Sequence, residues 1–547
     1  MFKKSPESPS LDLKTVLYRL STNGLLDKET PYQELNRNNE HAGEKILFES
    51  LYIDSRELDP RKDKASLTNQ ASPSSSANLA SSANLARPTR NRLFVCIKGH
   101  SFDSHSEIKE ILEQDHTWVV AQADSLEKNF LDTSPLGERI VPVSNSRLAL
   151  AHLASLFAGD VESKIDLYGV TGTNGKTSVT HILENILSSK WKSKSTSTIQ
   201  QALTTPDPLR LNEVFLDWHQ KNIEKAVIEV SSHGLDQRRV DFITFKGALF
   251  TNLSPEHLDY HANMEAYYQA KKRLFTELLV GPAVVCTDTT WGQRLYDELK
   301  KECSNKVISF GSDQISKTSK GFEVSLDDLE GVSRRKTTIP SHLPGRINAL
   351  NLLGACLLAR EIGLSLEEIL EAAQGIKPIA GRFEELSLPG ADFRVLIDFA
   401  HTPAALEKTL LSLREITQNR LLVLFGCGGN RDKGKRAPMG EVAGSLADQI
   451  FLTSDNPRLE DPEDILEDIA KGIPKNHLTK TFKEASRRKA IQIALQDAKK
   501  GDLLLIAGRG HESHQSIRDP KNSQNLVKVP FQDRDEVLKI WSELKRN

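Results

Sequence analysis

The stretch IDLYGVTGTNGKTSVTHILENIL, residues 165–187, constrains this chain most, because an apolar run passes through closely spaced glycines straight into a helical pattern. Beyond the turn, Val179, Ile182, Leu183, Ile186 and Leu187 recur at i, i+3, i+4, i+7 and i+8, the single apolar stripe of a helix packed on a sheet. A strand therefore ends and a helix begins at Gly175-Lys176-Thr177. Free backbone N–H groups at such a helix start form an anion site suited to phosphates, and Gly172 and Gly175 admit close approach around Thr173 and Asn174. In that setting Lys176 neutralises β- and γ-phosphate charge and the Thr177 hydroxyl binds Mg2+. The strict pattern GxxxxGK followed by Ser or Thr fails, since its first glycine falls on Val170; the glycines stand at 169, 172 and 175. The bland alternative is a glycine-rich structural turn, and the strand-to-helix context favours nucleotide binding over it.

With 547 residues the chain exceeds one hydrophobic core, and an α/β architecture of three domains is expected. Residues 1–141 form an N-terminal α/β domain, 142–379 a central nucleotide-binding domain with a parallel sheet, and 380–547 a Rossmann-like domain. The last rests on four apolar runs, RVLIDFA, RLLVLFG, QIFLTS and LLLIAG, separated by helical stretches. A Ser/Ala/Asn-rich segment at about 58–92, with a tandem SSANLA, looks like an insert into the N-terminal domain. The flanking YIDSR and LFVCIKGH are expected to pair in that domain. No run of eighteen apolar residues offers a membrane span, and MFKKSPESPSLDLK lacks the apolar centre of a signal peptide, so a cytoplasmic location is expected. The five cysteines are widely spaced, which fits reduced thiols. A net charge of -2 gives no broad basic surface for nucleic acid. Small-molecule substrates and a monomer are the expectation.

Two further stretches carry residues of metal-binding type, AVIEVSSHGLDQRRV and FTNLSPEHLDYHANMEAYYQAKKRLF. AVIEV reads as a buried strand, so Glu229 at its end is costly in a core but well placed on Mg2+ beside Thr177. Taken alone, an acidic strand-end residue is more readily a loop contact. A lone histidine such as His257 proves little, and Lys271-Lys272-Arg273 reads by itself as a solvated helix face.

The motif GTNGKT resembles the phosphate loop of the Mur ligases and the related folylpolyglutamate synthetases. The resemblance spans nearly the whole chain outside residues 1–45 and the insert, with its motifs in the family's order. It implies that a substrate carboxylate attacks the γ-phosphate of ATP to give an acyl phosphate, which an amine then converts to an amide, with ATP and Mg2+ as cofactors. Catalysis of such a step is chiefly charge neutralisation and positioning. Lys176, His257 and Lys271 are the implied catalytic residues. Thr177, Glu229, His257 and Lys271 are the implied metal ligands, Lys271 as a carbamate formed by adding CO2 to its neutral amine; Lys272 leaves a one-residue ambiguity. In LPGRINALNLLGA, Asn348 and Asn351 match the adenine contacts, with Ile347 where a phenylalanine is common. Arg382, Asp398 and His401 match later nucleotide contacts. DSR at 54–56 and KGH at 98–100 resemble uridine-recognising pieces, with Ser55 and His100 at the matched positions. Thr204 and Thr205 of LTTPD, together with Ser231, Gln237 and Arg239, match contacts to a UDP-muramoyl dipeptide. His233 and His261 are expected in structural roles.

In the C-terminal region each apolar run ends in polar residues: LFG leads into CGGNRDKGKR, FLTS into DNPR, and LLIAG into RGHE. In an open parallel sheet the carboxyl ends of the strands form the ligand crevice, so these loops converge. By resemblance Arg431, Asp455, Asn456, Pro457, Arg458, Gly508 and Glu512 bind meso-diaminopimelate. Its second carboxylate suits a bidentate guanidinium, and Glu512 suits the adjacent ammonium. DNPR alone also reads as an Asx-Pro turn with a solvated arginine. The implied reaction adds meso-diaminopimelate to UDP-N-acetylmuramoyl-L-alanyl-D-glutamate in peptidoglycan precursor synthesis. The rivals are the same ligase using L-lysine or L-ornithine and, from another class, a nucleotide-binding switch protein.

Overall fold

A computed structural model describes residues 2–3, 11–26, 47–53, 91–99, 102–114, 116–126, 137–196, 203–318, 321–326, 337–341, 343–376 and 379–545. Ser55, His100 and positions 58–90 of the expected insert lie outside the described residues. The chain forms two compact units, one of Met1–Tyr168, Ala202–Ala226 and Val230–Lys246, the other of Gly169–Gln201, Val227–Glu229 and Gly247–Asn547. Three parallel-rich sheets give the α/β fold expected from the sequence.

In the first unit, Leu47–Tyr52, Asn91–Val95, Thr117–Gln122 and Ile140–Val143 run parallel in that order, and Phe2–Lys3 and Leu11–Asp12 add antiparallel to Leu47–Tyr52. Leu51 stands opposite Leu93, so the two pieces flanking the Ser/Ala-rich segment are sheet neighbours, as expected. Asn91 and Arg92 already belong to a strand. The sheet therefore begins two residues inside the stretch assigned to the insert.

The second unit holds the last large sheet and most of the middle one. The middle one runs Val307–Phe310, Ala283–Cys286, Gly247–Phe250, Asp166–Thr171, Lys225–Glu229, Ser193–Ser195. Asp166–Thr171, the strand that leads into the glycine turn, is thus internal, and the helix Lys176–Leu187 buries its expected stripe of Val179, Ile182, Leu183, Ile186 and Leu187. The last sheet runs Glu384–Leu386, Arg394–Asp398, Leu503–Ala507, Leu421–Phe425, Gln449–Leu452, Thr481–Lys483, all parallel except the first pair. Its two central strands, Leu503–Ala507 and Leu421–Phe425, are apolar at every position, and Arg394–Asp398 and Gln449–Leu452 are polar only at their ends, because both faces are covered: Leu396, Val423 and Leu505 enter one core, Ile397, Leu422, Leu424 and Ile506 the other. The four apolar runs of the sequence are its four long strands.

Two pieces depart from the alternating rhythm. Ile315–Thr318, Gly321–Leu326 and Thr337–Ser341 form an antiparallel three-stranded sheet, and His514–Asp519 pairs with Asn522–Pro530 as a hairpin. Antiparallel neighbours need only tight turns, so no intervening helix marks them in the sequence. Among the described residues no helix is long and apolar enough to cross a membrane.

Candidate active site

Gly175, at φ +88°, caps the helix Lys176–Leu187, and the loop before it is laced to the end of the neighbouring strand. Thr173 N donates to Asn252 O at 2.8 Å, Asn174 N to Asn252 Oδ1 at 3.1 Å, and Thr251 Oγ1 to Asn174 O at 2.6 Å. Gly172 sits at φ +145°, where a Cβ would meet Thr251 Oγ1 at 2.0 Å, so no larger residue fits. A rigid loop with its amides at a helix start is what phosphate oxygens need.

Two lysines converge on this loop. Lys176 Nζ donates to Gly172 O at 3.0 Å and to Thr173 O at 2.9 Å, and Lys271 Nζ donates to the same Gly172 O at 2.8 Å. Burial lowers the pKa of both. For Lys271 the drop is large, with repulsion from Lys176 adding to burial and Glu256 opposing it. Lys271 and its neighbour Lys272 stand in different surroundings. Lys271 is 1% exposed, whereas Lys272 pairs with Glu298 at 2.9 Å and Glu302 at 2.7 Å. One residue turns a helix by about 100°, so adjacent lysines point to opposite environments.

Glu229, fully buried at the end of Lys225–Glu229, accepts from Thr177 Oγ1 at 3.1 Å. Adjacent ligands of an octahedral Mg2+ at about 2.1 Å from the ion lie about 3 Å apart, which is the spacing of this pair. Among the described residues no three His, Cys, Asp or Glu side chains surround a common metal position. His257, half-exposed, is held below the usual histidine pKa, first by burial and then by Lys176 and Lys271, with Glu256 opposing. His261 is buried with its ring 5.0 Å from that of Tyr267.

A cavity of about 390 Å³ opens beside the loop, a volume suited to a small-molecule ligand. Asn174 and Gly175 line it from the loop, Asn348 and Asn351 from the helix Arg346–Ile362, and Arg382, Asp398 and His401 from the last sheet's side. Asn351 Oδ1 would lie 2.7 Å from a Cβ on Gly175, so the two meet closely. Arg382 lies 4.5 Å over the Phe399 ring. Asp398 accepts from Phe383 N, Ala400 N and Thr409 Oγ1 at 3.1, 3.2 and 3.2 Å; burial raises its pKa and Arg382 lowers it. His401 Nδ1 meets Phe399 O at 2.9 Å, and Lys435 Nζ donates to His401 O at 2.8 Å.

Two residues here escaped the sequence reading. Glu256 lines the cavity and is the carboxylate whose field reaches Lys176, Lys271, His257, Arg382 and His401. Its signal was its place beside His257. Tyr267 bonds Thr173 Oγ1 through its hydroxyl at 3.1 Å and stacks its ring 4.8 Å from Lys271 Nζ. Its position four residues before Lys271, on the same helix face, was the available clue.

In the first unit, Thr205, Ser231, Gln237 and Arg239 come together, with Thr204 beside them in the chain. Thr205 Oγ1 donates to Ser231 Oγ at 3.0 Å, Arg239 Nη1 to Thr205 O at 2.6 Å and Arg239 Nη2 to Gln237 Oε1 at 2.6 Å. The pair Ser55 and His100 falls outside the described residues.

The last sheet gathers the remaining candidates at its strand ends. Asn456 Nδ2 donates to Asp455 Oδ1 at 3.0 Å and to Glu512 Oε2 at 2.8 Å. Arg458, at φ +53°, donates from Nη1 to Gly429 O at 2.8 Å. A Cβ on Gly428 would stand 2.8 Å from Arg458 Nη1 and 3.7 Å from Arg431 Cγ, one on Gly429 would meet Pro457 O at 2.0 Å, and one on Gly508 would meet Asp455 Oδ2 at 2.9 Å. The glycines let three loops close on each other. Burial, with Asp455 adding, raises the Glu512 pKa.

Residues 170–359 match the family model described as Mur ligase middle domain, and 381–510 that described as Mur ligase, glutamate ligase domain. A protein of Alkaliphilus metalliredigens named UDP-N-acetylmuramoyl-L-alanyl-D-glutamate--2,6-diaminopimelate ligase is 35% identical over 490 residues, 87% of this chain and 90% of that one. A protein of Fusobacterium nucleatum with the same name is 36% identical over 441 residues, covering 79% and 88%. A solved structure of a ligase of that name aligns with TM-score 0.58 and 27% identity, over 83% of this chain and 93% of the other. A MurF ligase of Thermotoga maritima in complex with ADP shares the fold at TM-score 0.55 and 18% identity, over 84% and 96%.

Proposed function

The chain belongs to the Mur ligase family, and from that premise we propose that it joins meso-diaminopimelate to UDP-N-acetylmuramoyl-L-alanyl-D-glutamate at the expense of ATP. The D-glutamyl carboxylate attacks the γ-phosphorus, the bond to ADP breaks, and an acyl phosphate forms. The amine of the incoming amino acid then attacks the acyl carbon, a proton leaves the nitrogen, and phosphate departs as the amide forms. The protein's part is positioning and charge neutralisation.

Lys176 and the amides around Gly172, Thr173, Asn174 and Gly175 hold the β- and γ-phosphates. Thr177 and Glu229 would hold Mg2+, with His257 and Lys271 as further candidate ligands, and the ion would supply positive charge to the phosphates. Lys271, buried beside Lys176, is held toward its neutral amine, the form that adds CO2, which supports a carbamate there. Asn348, Asn351, Arg382, Asp398 and His401 hold the nucleotide; Thr204, Thr205, Ser231, Gln237 and Arg239, with Ser55 and His100, hold the UDP-dipeptide. Domain limits of 1–141, 142–379 and 380–547 belong to the same proposal, with the nucleotide residues drawn from the second and third and the dipeptide residues from the first and second.

The choice of amine is carried by one observation: Arg431 and Arg458 flank Gly428 while Glu512 is held by Asn456, an arrangement suited to a ligand with a distal carboxylate and ammonium. The chemistry is tested by trapping. With ATP, Mg2+ and UDP-dipeptide but hydroxylamine in place of the amino acid, the glutamyl hydroxamate and ADP are expected in equal amounts. ADP release without hydroxamate, or neither product, contradicts the acyl-phosphate route.

A further inference from the structure

Beneath the loops of the last sheet lies a buried ion pair that no motif marked. Arg487 and Asp533, each the first residue of its helix (Arg487–Asp497 and Asp533–Leu544), have side chains with no exposure to solvent. Arg487 Nε and Nη2 donate to the two carboxylate oxygens of Asp533, both at 2.7 Å. The same guanidinium also donates from Nη1 to Ser454 O at 3.2 Å and from Nη2 to Ala507 O at 3.1 Å. Those carbonyls stand one residue before Asp455 and one before Gly508. They mark the carboxyl ends of two strands, Gln449–Leu452 and Leu503–Ala507, that are not neighbours in the sheet, since Leu421–Phe425 runs between them.

We propose that Arg487 is a positioning residue for the amino-acid substrate, setting the separation of the Asp455-Asn456 and Gly508 loops through its two carbonyl contacts; this rests on the reading of those loops as the amine site. A burial this complete is otherwise unfavourable for a guanidinium, and only a planar fork reaches one carboxylate and two carbonyls at once. Asp533 neutralises the charge and fixes the plane of the fork. Lysine, a point donor, cannot replace it. The neighbouring Arg509, buried too, donates to Asp455 O at 3.4 Å, His514 O at 2.9 Å and Phe531 O at 3.1 Å, a longer second tie between the Gly508 end and the DNPR loop, while Gly508 N donates to Asp398 O at 3.1 Å; Arg487 alone bonds the carbonyls of both strand ends.

The test compares wild type, Arg487→Lys and the double variant Arg487→Met/Asp533→Leu in the full chain, measuring KM for meso-diaminopimelate, KM for ATP and thermal stability. Replacing a buried ion pair by apolar residues of similar size often keeps or raises stability, so the double variant separates folding from positioning. Arg487→Lys is expected to raise the amine KM roughly tenfold with the ATP KM unchanged, and the double variant to keep that rise even if its melting point recovers. An amine KM that returns to wild type along with the melting point, or stays within about twofold of it in Arg487→Lys, overturns the proposal. So does an equal rise in both KM values. Wild-type turnover independent of any diamino acid sinks the amine-site reading itself.

Discussion

The Nζ atoms of Lys176 and Lys271 donate to one oxygen atom, the carbonyl of Gly172, from 3.0 and 2.8 Å. Two buried amines on one acceptor disfavour a second positive charge, and the molecule accommodates them through the loop carbonyls, the field of Glu256 and the lowered pKa of Lys271. Such an arrangement is poor for stability and good for chemistry that brings in negative phosphate.

The cost of this pairing is measurable. Below its lowered pKa, Lys271 is protonated in both folded and unfolded chains and the burial penalty is present in full. Between that pKa and the ordinary lysine value of 10.5 the unfolded chain binds the extra proton, so folding stability rises with pH. In bicarbonate-free buffer Lys271→Met is expected to melt about 2 °C or more above wild type at neutral pH, with no ligase turnover. The gain shrinks as pH rises through the folded-state pKa. A lower melting point for the variant across the whole range contradicts the account.

Neighbouring lysines should behave oppositely. Lys271→Ala and Lys176→Ala are each expected to lower kcat by about a hundredfold or more, whereas Lys272→Ala, which loses only surface pairs with Glu298 and Glu302, stays within about threefold. Steady-state phosphate release in the three variants decides. Near-normal ATP consumption in Lys176→Ala refutes the phosphate site.

Glu229→Gln keeps the shape and removes the charge facing Thr177. The Mg2+ concentration for half-maximal turnover is expected to rise about tenfold or more, with the UDP-dipeptide KM little changed. An unchanged magnesium titration rules Glu229 out as a ligand.

How much of this was legible in the sequence differs by range. The phosphate loop and its helix were readable because a period of 3.6 following a glycine cluster is a local signal, and the four long strands of the last sheet because burial on both faces makes their central positions apolar. Lys271 was ambiguous only to a reader of charge: Tyr267, Lys271, Leu274 and Phe275 share one buried face, and that spacing points Lys271 inward. Arg487 and Asp533 were beyond reach. They lie 46 residues apart, and nothing local distinguishes a buried arginine at a helix start from a solvated one.

Deleting residues 62–88 tests the Ser/Ala-rich segment. Strands Leu47–Tyr52 and Asn91–Val95 are direct parallel neighbours, so the chain must cross back along the sheet between them, and the residues left by the deletion, 53–61 and 89–90, reach about 36 Å when extended, beyond the roughly 20 Å of a six-residue strand. Turnover is expected within about twofold of wild type. A large rise in the KM for the UDP substrate shows instead that the segment serves the uridine pocket.

The central claim is the amine, and one measurement tests it most directly: phosphate release from ATP and Mg2+ with UDP-N-acetylmuramoyl-L-alanyl-D-glutamate, comparing meso-diaminopimelate, L-lysine and L-ornithine, with each product weighed by mass spectrometry. Release and a new amide with meso-diaminopimelate alone is the predicted result. Comparable release with L-lysine or L-ornithine contradicts the role given to Arg431 and Arg458, and release with none of the three contradicts the ligase itself.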